Sequence, residues 1–201
     1  LIMRLASHNT FTYLPVRRWW MAPFAWMAKC QRVDAWEQKK LGADMFDLRV
    51  RFDCKKPVIC HGLVEYRHAD DFISTWLTLL NSIGGYYVRV TLELSGADKM
   101  QETGFYFFCL NLERDYPNVK FFGGSNRDDW ECMTPIYHFK ERMPDIDHRY
   151  SSTTTLFPKG PRWLKRIDDL CPFLYSLAYN ERNVREGTRH EWMMIDFVDI
   201  Q

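Results

Sequence analysis

The sequence predicts an α/β fold, a distorted TIM-type (β/α) barrel of parallel strands with outer helices. Three observations carry that expectation. Strand-like and helix-like runs alternate from residue 1 to residue 122, as in repeated βα units. Polar residues able to do chemistry sit at or near the ends of the strand-like runs, as at the carboxyl face of a barrel. The chain has 201 residues, short for eight full βα units, so a trimmed or distorted barrel is expected. Residues 1–201 are expected to form a single domain, because no repeat, low-complexity tract or linker divides them.

The elements follow in order. Residues 1–6 read as a first strand that runs into the Ser7-His8-Asn9 loop. Residues 31–41 read as a helix closed by Gly42. Asp44 to Arg51 reads as a strand, and Pro57 to Cys60 as a short strand that delivers His61. Asp70 and Asp71 open a helix through Asn81, where acidic residues favour the N-terminus. Its apolar positions Phe72, Ile73, Trp76, Leu77, Leu79 and Leu80 suit a helix face. Tyr86 to Leu94 alternates as a strand, residues 98–114 read as a helix, and Asn118 to Phe122 as a strand stopped by Gly123-Gly124. Residues 124–160 read as long loops, 161–169 as a short helix, and Phe173 to Ala178 and Trp192 to Val198 as late strands.

Composition removes several classes. A formal net charge of +1 lacks the basic bias of a nucleic-acid binder, so no nucleic-acid partner is expected. No apolar run reaches the roughly 18 residues of a membrane span. The first four residues read as strand and not as a signal peptide. Six cysteines, Cys30, Cys54, Cys60, Cys109, Cys132 and Cys171, include no C-x-x-C pair. That layout argues against a zinc site and favours buried free thiols. Cys60 beside His61 is not evidence of a thiol enzyme, since adjacent strand residues face opposite ways.

Chemistry concentrates in three short stretches. His8 ends the first run, Asp47 and Arg49 lie two apart on one strand face, and His61 ends the next strand. Two histidines can serve as general base and general acid, and an arginine can hold a phosphate. That kit transfers a phosphoryl group without a cofactor. The plainer readings are a loop histidine at His8, a His-Gly turn at His61, and a structural ion pair of Asp47 with Arg49. Glu93 can pair with Arg49 or Arg89. His68, His138, His148 and His190 read as surface or supporting residues.

The ordered set A-S-H-N-T-F at 6–11, E-Q-K-K-L-G-A-D-M-F-D-L-R-V at 37–50, C-H-G at 60–62, V-R-V-T-L-E-L at 88–94 and M-I-D-F at 194–197 resembles the catalytic X region of phosphatidylinositol-specific phospholipase C. The resemblance covers the first half well and residues 100–190 loosely. It implies attack of the inositol 2-hydroxyl on the adjacent phosphodiester, giving inositol 1,2-cyclic phosphate and diacylglycerol. His8 is then the general base and His61 the general acid, with Arg49 on the phosphate oxygens and Asp47 beside it. Asp196 would hold the His8 imidazole in one tautomer, in competition with Asp199. Asn9, Glu93, Tyr66 and Arg67 are candidates for substrate contact.

The resemblance mixes two patterns. Arg49 matches the metal-independent bacterial members, whereas Asn9 and Glu93 look like the calcium-dependent class. No cofactor is therefore expected, with calcium on Asn9, Asp47 and Glu93 as the alternative. The expected partner is phosphatidylinositol or a related phospholipid. Trp19 and Trp20 are candidates for peripheral membrane contact, although they can equally cover the domain. The resemblance also implies a monomer and a secreted or cell-surface setting. A lipid- or glycan-binding relative with little catalysis, and a phosphodiesterase on another headgroup, are the alternatives.

Overall fold

The computed structural model describes residues 3–53, 56–93, 99–125, 139–150 and 171–201. The chain packs as two compact units. The first comprises Leu1–Tyr13, Trp19–Phe46 and Pro144–Gln201, and the second Leu14–Arg18 and Asp47–Met143.

In the first unit, β1 (Arg4–Ser7) pairs in parallel with the start of β2 (Ala43–Asp53). On its other side β1 pairs in parallel with β8 (Trp192–Ile195), and β8 with β7 (Ile146–Arg149). Parallel strands covered on both faces read as continuous apolar runs, and Trp192, Met193, Met194 and Ile195 are all fully buried. A turn of 3-10 helix (Trp19–Phe24) leads into α1 (Ala25–Ala28). Helix α2 (Ala35–Lys40) starts on Asp34, whose side chain accepts from the Trp36 and Glu37 amides at 2.9 Å each. Gly42, at φ +100°, closes it as expected.

In the second unit the rest of β2 pairs antiparallel with β3 (Lys56–His61), and β3 antiparallel with β4 (Val64–Glu65). These two pairs depart from the all-parallel expectation, because β2 and β3, and β3 and β4, follow one another too closely in sequence for the crossover a parallel pair needs. β5 (Tyr87–Leu92) pairs with β2 and in parallel with β6 (Lys120–Ser125). Helix α3 (Phe72–Ile83) buries Ile73, Trp76, Leu77 and Leu80 along one stripe. Helix α4 (Lys99–Asp115) buries Phe105, Cys109 and Leu112. No helix among the described residues is long and apolar enough to cross a membrane.

Three expectations are corrected. Phe173 to Ala178 lies in helix α5 (Pro172–Glu186), not in a strand. Its buried face is mostly polar, with Tyr175, Ser176, Asn180 and Asn183 inward while Leu174 and Leu177 are exposed, so apolar periodicity misread it. Strand β7 lies within the segment read as loop. Gly123-Gly124 continues β6 and does not stop it. The expected helix at 161–169 and most of the loop segment lie outside the described residues.

Gly123 is required where it stands. Its φ is +127°, and a Cβ there would lie 2.2 Å from the Val90 carbonyl oxygen. Gly123→Ala is expected to lower stability by about 3 kcal/mol, read as a shift in the urea midpoint of the full chain. An unchanged midpoint would contradict this backbone approach.

Candidate active site

The parallel registers of the first unit place three side chains together. Ser7 pairs with Ile195, and Ile195 with Arg149. The next residue on each chain, His8, Asp196 and Tyr150, therefore stands just beyond the carboxyl end of its strand. In parallel sheets this is where functional groups gather, because the strand ends there and the side chains are no longer packed between helices. His8 Nδ1 lies 2.6 Å from Asp196 Oδ1, and the His8 ring stacks on Tyr150 at 3.7 Å with the planes 2° apart. The Asn9 amide nitrogen lies 3.1 Å from Nε2. One tautomer satisfies both contacts: Nδ1–H donates to the carboxylate, and Nε2 accepts from Asn9.

The frame around these groups is tightly hydrogen-bonded. The His8 amide donates to Ile195 O at 3.0 Å, and Gln31 Nε2 donates to His8 O at 3.0 Å. Asn180 Nδ2 donates to Asp196 O at 2.6 Å and to Phe197 O at 3.2 Å. Asn9 and Phe197, the residues after His8 and Asp196, both adopt left-handed φ, +46° and +47°. Such a conformation is costly for phenylalanine and is held by the surrounding bonds; the Phe197 amide donates to Cys30 O at 2.6 Å. Asp199, the competitor of Asp196, instead accepts from Arg32.

The second unit holds a buried ionic network. Alternation puts Asp47, Arg49 and Arg51 on one face of β2, and Arg89, Thr91 and Glu93 on one face of β5 and its extension. Arg89 clamps Asp47 with both ends of its fork: Nε to Oδ1 at 2.8 Å and Nη2 to Oδ2 at 2.7 Å. Arg49 Nε donates to Asp47 Oδ2 at 3.1 Å, and its Nη1 lies 3.7 Å from Glu93 Oε2. All four side chains are buried. Glu93 Oε1 accepts from the Gly62 amide at 2.5 Å, and Arg51 donates to Glu93 O and Gly62 O. Those bonds fix the β3–β4 turn that carries His61, which is half-buried.

The remaining expected residues separate. Tyr66 is buried and forms an isolated antiparallel bridge with Val16, while Arg67 is exposed. Arg17, Asp53, Lys56, Tyr66 and Arg67 line a small cleft of the second unit, where Arg17 pairs with Asp53 and Glu65. Trp19 is 84% exposed, and Trp20, Phe24 and Trp26 are each about half exposed. Burial pushes the Cys60 thiol well above its ordinary range, with the Glu93 charge adding to it, which suits an inert packing role. Sequence reasoning missed Tyr150, Gln31, Cys30 and Asn180, whose relation to His8 and Asp196 is long-range and leaves no local spacing signal. Arg89 had one signal, its place two residues before Thr91 and four before Glu93 on an alternating strand.

The alternative calcium set does not fit this arrangement. Calcium needs six to eight oxygen donors. Both Asp47 oxygens already accept from guanidiniums, Glu93 accepts from Gly62, and Arg49 is fixed against both carboxylates. A divalent ion among these buried cations would meet strong repulsion. The Asn9 amide nitrogen, for its part, faces His8 and Cys30.

The comparisons define the fold. The chain superposes on the phosphatidylinositol-specific phospholipase C of Listeria monocytogenes with a TM-score of 0.63 and 10% identity, covering 98% of this chain and 89% of that one. A double mutant of the Staphylococcus aureus phosphatidylinositol-specific phospholipase C gives 0.57 and 13% identity, covering 96% and 84%. No family model matches the chain, and no curated protein matches it. The α/β fold expected from the sequence is thus the fold of these bacterial phospholipases.

Removing one partner of a buried ion pair strands the other. Arg89→Met is therefore expected to lower stability by about 3–5 kcal/mol, read as a urea midpoint. Exchanging both partners, Arg89→Met with Asp47→Leu, is expected to recover part of that loss; a loss in the double variant equal to the sum of the two single losses would show that the clamp is not coupled.

Proposed function

We propose that this protein is a metal-independent phosphodiesterase acting on phosphatidylinositol. The observation that carries the reading is the His8–Asp196 pair at 2.6 Å, set at adjacent strand ends in the fold of phosphatidylinositol-specific phospholipases. In the proposed reaction the inositol 2-hydroxyl attacks the neighbouring phosphorus and His8 Nε2 takes its proton. The phosphorus–glycerol oxygen bond breaks, and His61 returns a proton to the leaving oxygen. The products are inositol 1,2-cyclic phosphate and diacylglycerol. Asp196 holds Nδ1–H and stabilises the imidazolium formed. Arg49, oriented by Asp47 and Glu93, neutralises the phosphate oxygens. For the base to act, the substrate hydroxyl must replace the Asn9 amide at Nε2.

The test is release of water-soluble inositol phosphate from phosphatidylinositol micelles by the full chain. His8→Ala and His61→Ala are each expected to lower turnover by about 100-fold or more. Full activity in either variant would overturn the acid–base assignment. The low exposure of His8, 4%, and the Asn9 amide on its Nε2 favour a second reading, a binding relative with little catalysis. Saturable inositol phosphate binding without turnover would select it.

The exposed Trp19, Trp20, Phe24 and Trp26 support a proposed membrane contact and, with the lipid substrate, a secreted or cell-surface setting. Replacing Trp19 and Trp20 together by Ala is expected to weaken sedimentation with phosphatidylinositol-containing vesicles by about tenfold. Unchanged sedimentation would assign these aromatics to another role.

A further inference from the structure

Cys30 has no part in the proposed reaction, yet it stands beside the residues that do. It is fully buried, and the Asn9 amide that reaches His8 Nε2 also donates to Cys30 Sγ at 3.4 Å. One hydrogen-bond donor thus sits between two lone-pair donors, a soft sulfur and an imidazole nitrogen. A carboxylate completes the group: a ring nitrogen of His8, Cys30 Sγ and an Asp196 oxygen all lie within 4.8 Å of one another. All three residues are buried.

We propose that His8, Cys30 and Asp196 form a binding site for a thiophilic divalent cation of the zinc type. Thiolate and imidazole are donors that select zinc over calcium or magnesium, and zinc accepts a carboxylate oxygen beside them. Three protein ligands leave a fourth position for water or another donor, as in open zinc sites. Tetrahedral ligation, with bonds of about 2.0–2.3 Å, sets donor atoms roughly 3.5 Å apart. The His8 Nδ1–Asp196 Oδ1 pair, at 2.6 Å, widens by about 1 Å to reach that separation, and the sulfur lies within 4.8 Å of a His8 ring nitrogen and an Asp196 oxygen. The backbone is already fixed at each ligand: Cys30 N donates to Thr12 Oγ1 at 2.9 Å, His8 O accepts from Gln31, and Asp196 O accepts from Asn180. Such an outer shell pre-orients ligands.

Binding is balanced by a proton. The Cys30 thiol loses its hydrogen to solvent as the sulfur–metal bond forms, the Asn9 amide gives up its place at Nε2, and the His8 ring hydrogen moves from Nδ1 to Nε2, so that the Nδ1 lone pair faces the ion beside Asp196. The sequence argued against zinc because no cysteine has a near neighbour at ligand spacing. The fold assembles this set across 188 residues, from His8 to Asp196. The inference does not depend on the phosphodiesterase reading. If that reading holds, a bound ion on Nδ1 leaves Nε2 protonated and unable to act as the base, and added zinc inhibits turnover.

The experiment is a cadmium titration of the reduced full chain, read by the ultraviolet thiolate-to-cadmium band and by cadmium-113 NMR. Wild type is expected to bind one equivalent at this site, with a cadmium shift of mixed sulfur, nitrogen and oxygen ligation. Cys30→Ser is expected to lose the band, and Asp196→Asn to weaken binding more than about tenfold. Cys171→Ser, on the half-buried thiol outside the cluster, is expected to keep both signals. No band in wild type, or a band that survives in Cys30→Ser, would overturn the site. The NMR shift on wild type decides the ligand set even where a variant fails to fold, since thiolate-only or oxygen-only ligation also contradicts it. None of these readouts is activity, so failure here and failure of the enzyme reading are separate results.

Discussion

The pairing of Ser7 with Ile195 in parallel β1 and β8 is the constraint from which the candidate site follows. A one-residue slip would exchange the faces of every side chain on the strand. In the observed register His8 and Asp196 leave their strands together, and β7 brings Tyr150 to the same level. The register is secured by apolar burial, since Ala6, Met193, Met194 and Ile195 admit no solvent. Site geometry is therefore a by-product of core packing. The left-handed turns at Asn9 and Phe197 are the local cost of ending both strands so abruptly.

The second unit solves a different problem. Burying Asp47, Arg49, Arg89 and Glu93 is expensive unless each charge is met by an opposite one and by hydrogen bonds. Arg89 meets Asp47 in the bidentate geometry that best offsets desolvation. Arg49 is then held by two carboxylates and cannot reorient freely. In the proposed reaction this leaves the arginine oriented before any phosphate arrives. Glu93, which looked like a metal ligand from its sequence context, ties down the turn at Gly62.

Much of this was legible in the sequence, and the exceptions have physical reasons. Strand β2 and helix α3 carry strong periodic patterns and lie where they were expected. Of the two aspartates weighed near the C-terminus, Asp196 lies against His8 and Asp199 accepts from Arg32. Helix α5 was read as a strand because its inward face carries Ser176, Asn180 and Asn183 in place of leucines. Ser176 and Asn180 serve the backbone at Asp196 and Phe197, so the misreading coincides with a supporting function. Gly123 was read as a stop, although it is there to let β6 approach Val90. Cys30 and Tyr150 reach His8 only through the fold, and no spacing rule applied to the sequence could join them.

The account's central claim is that fixed side chains, not a metal, carry phosphodiester cleavage. Phosphorus NMR of the full chain with phosphatidylinositol in mixed micelles, run first in chelator and then with calcium, tests it most directly. The account predicts a cyclic inositol phosphate signal in chelator, appearing no slower than with calcium. A signal that requires calcium, or no signal under either condition, would contradict it.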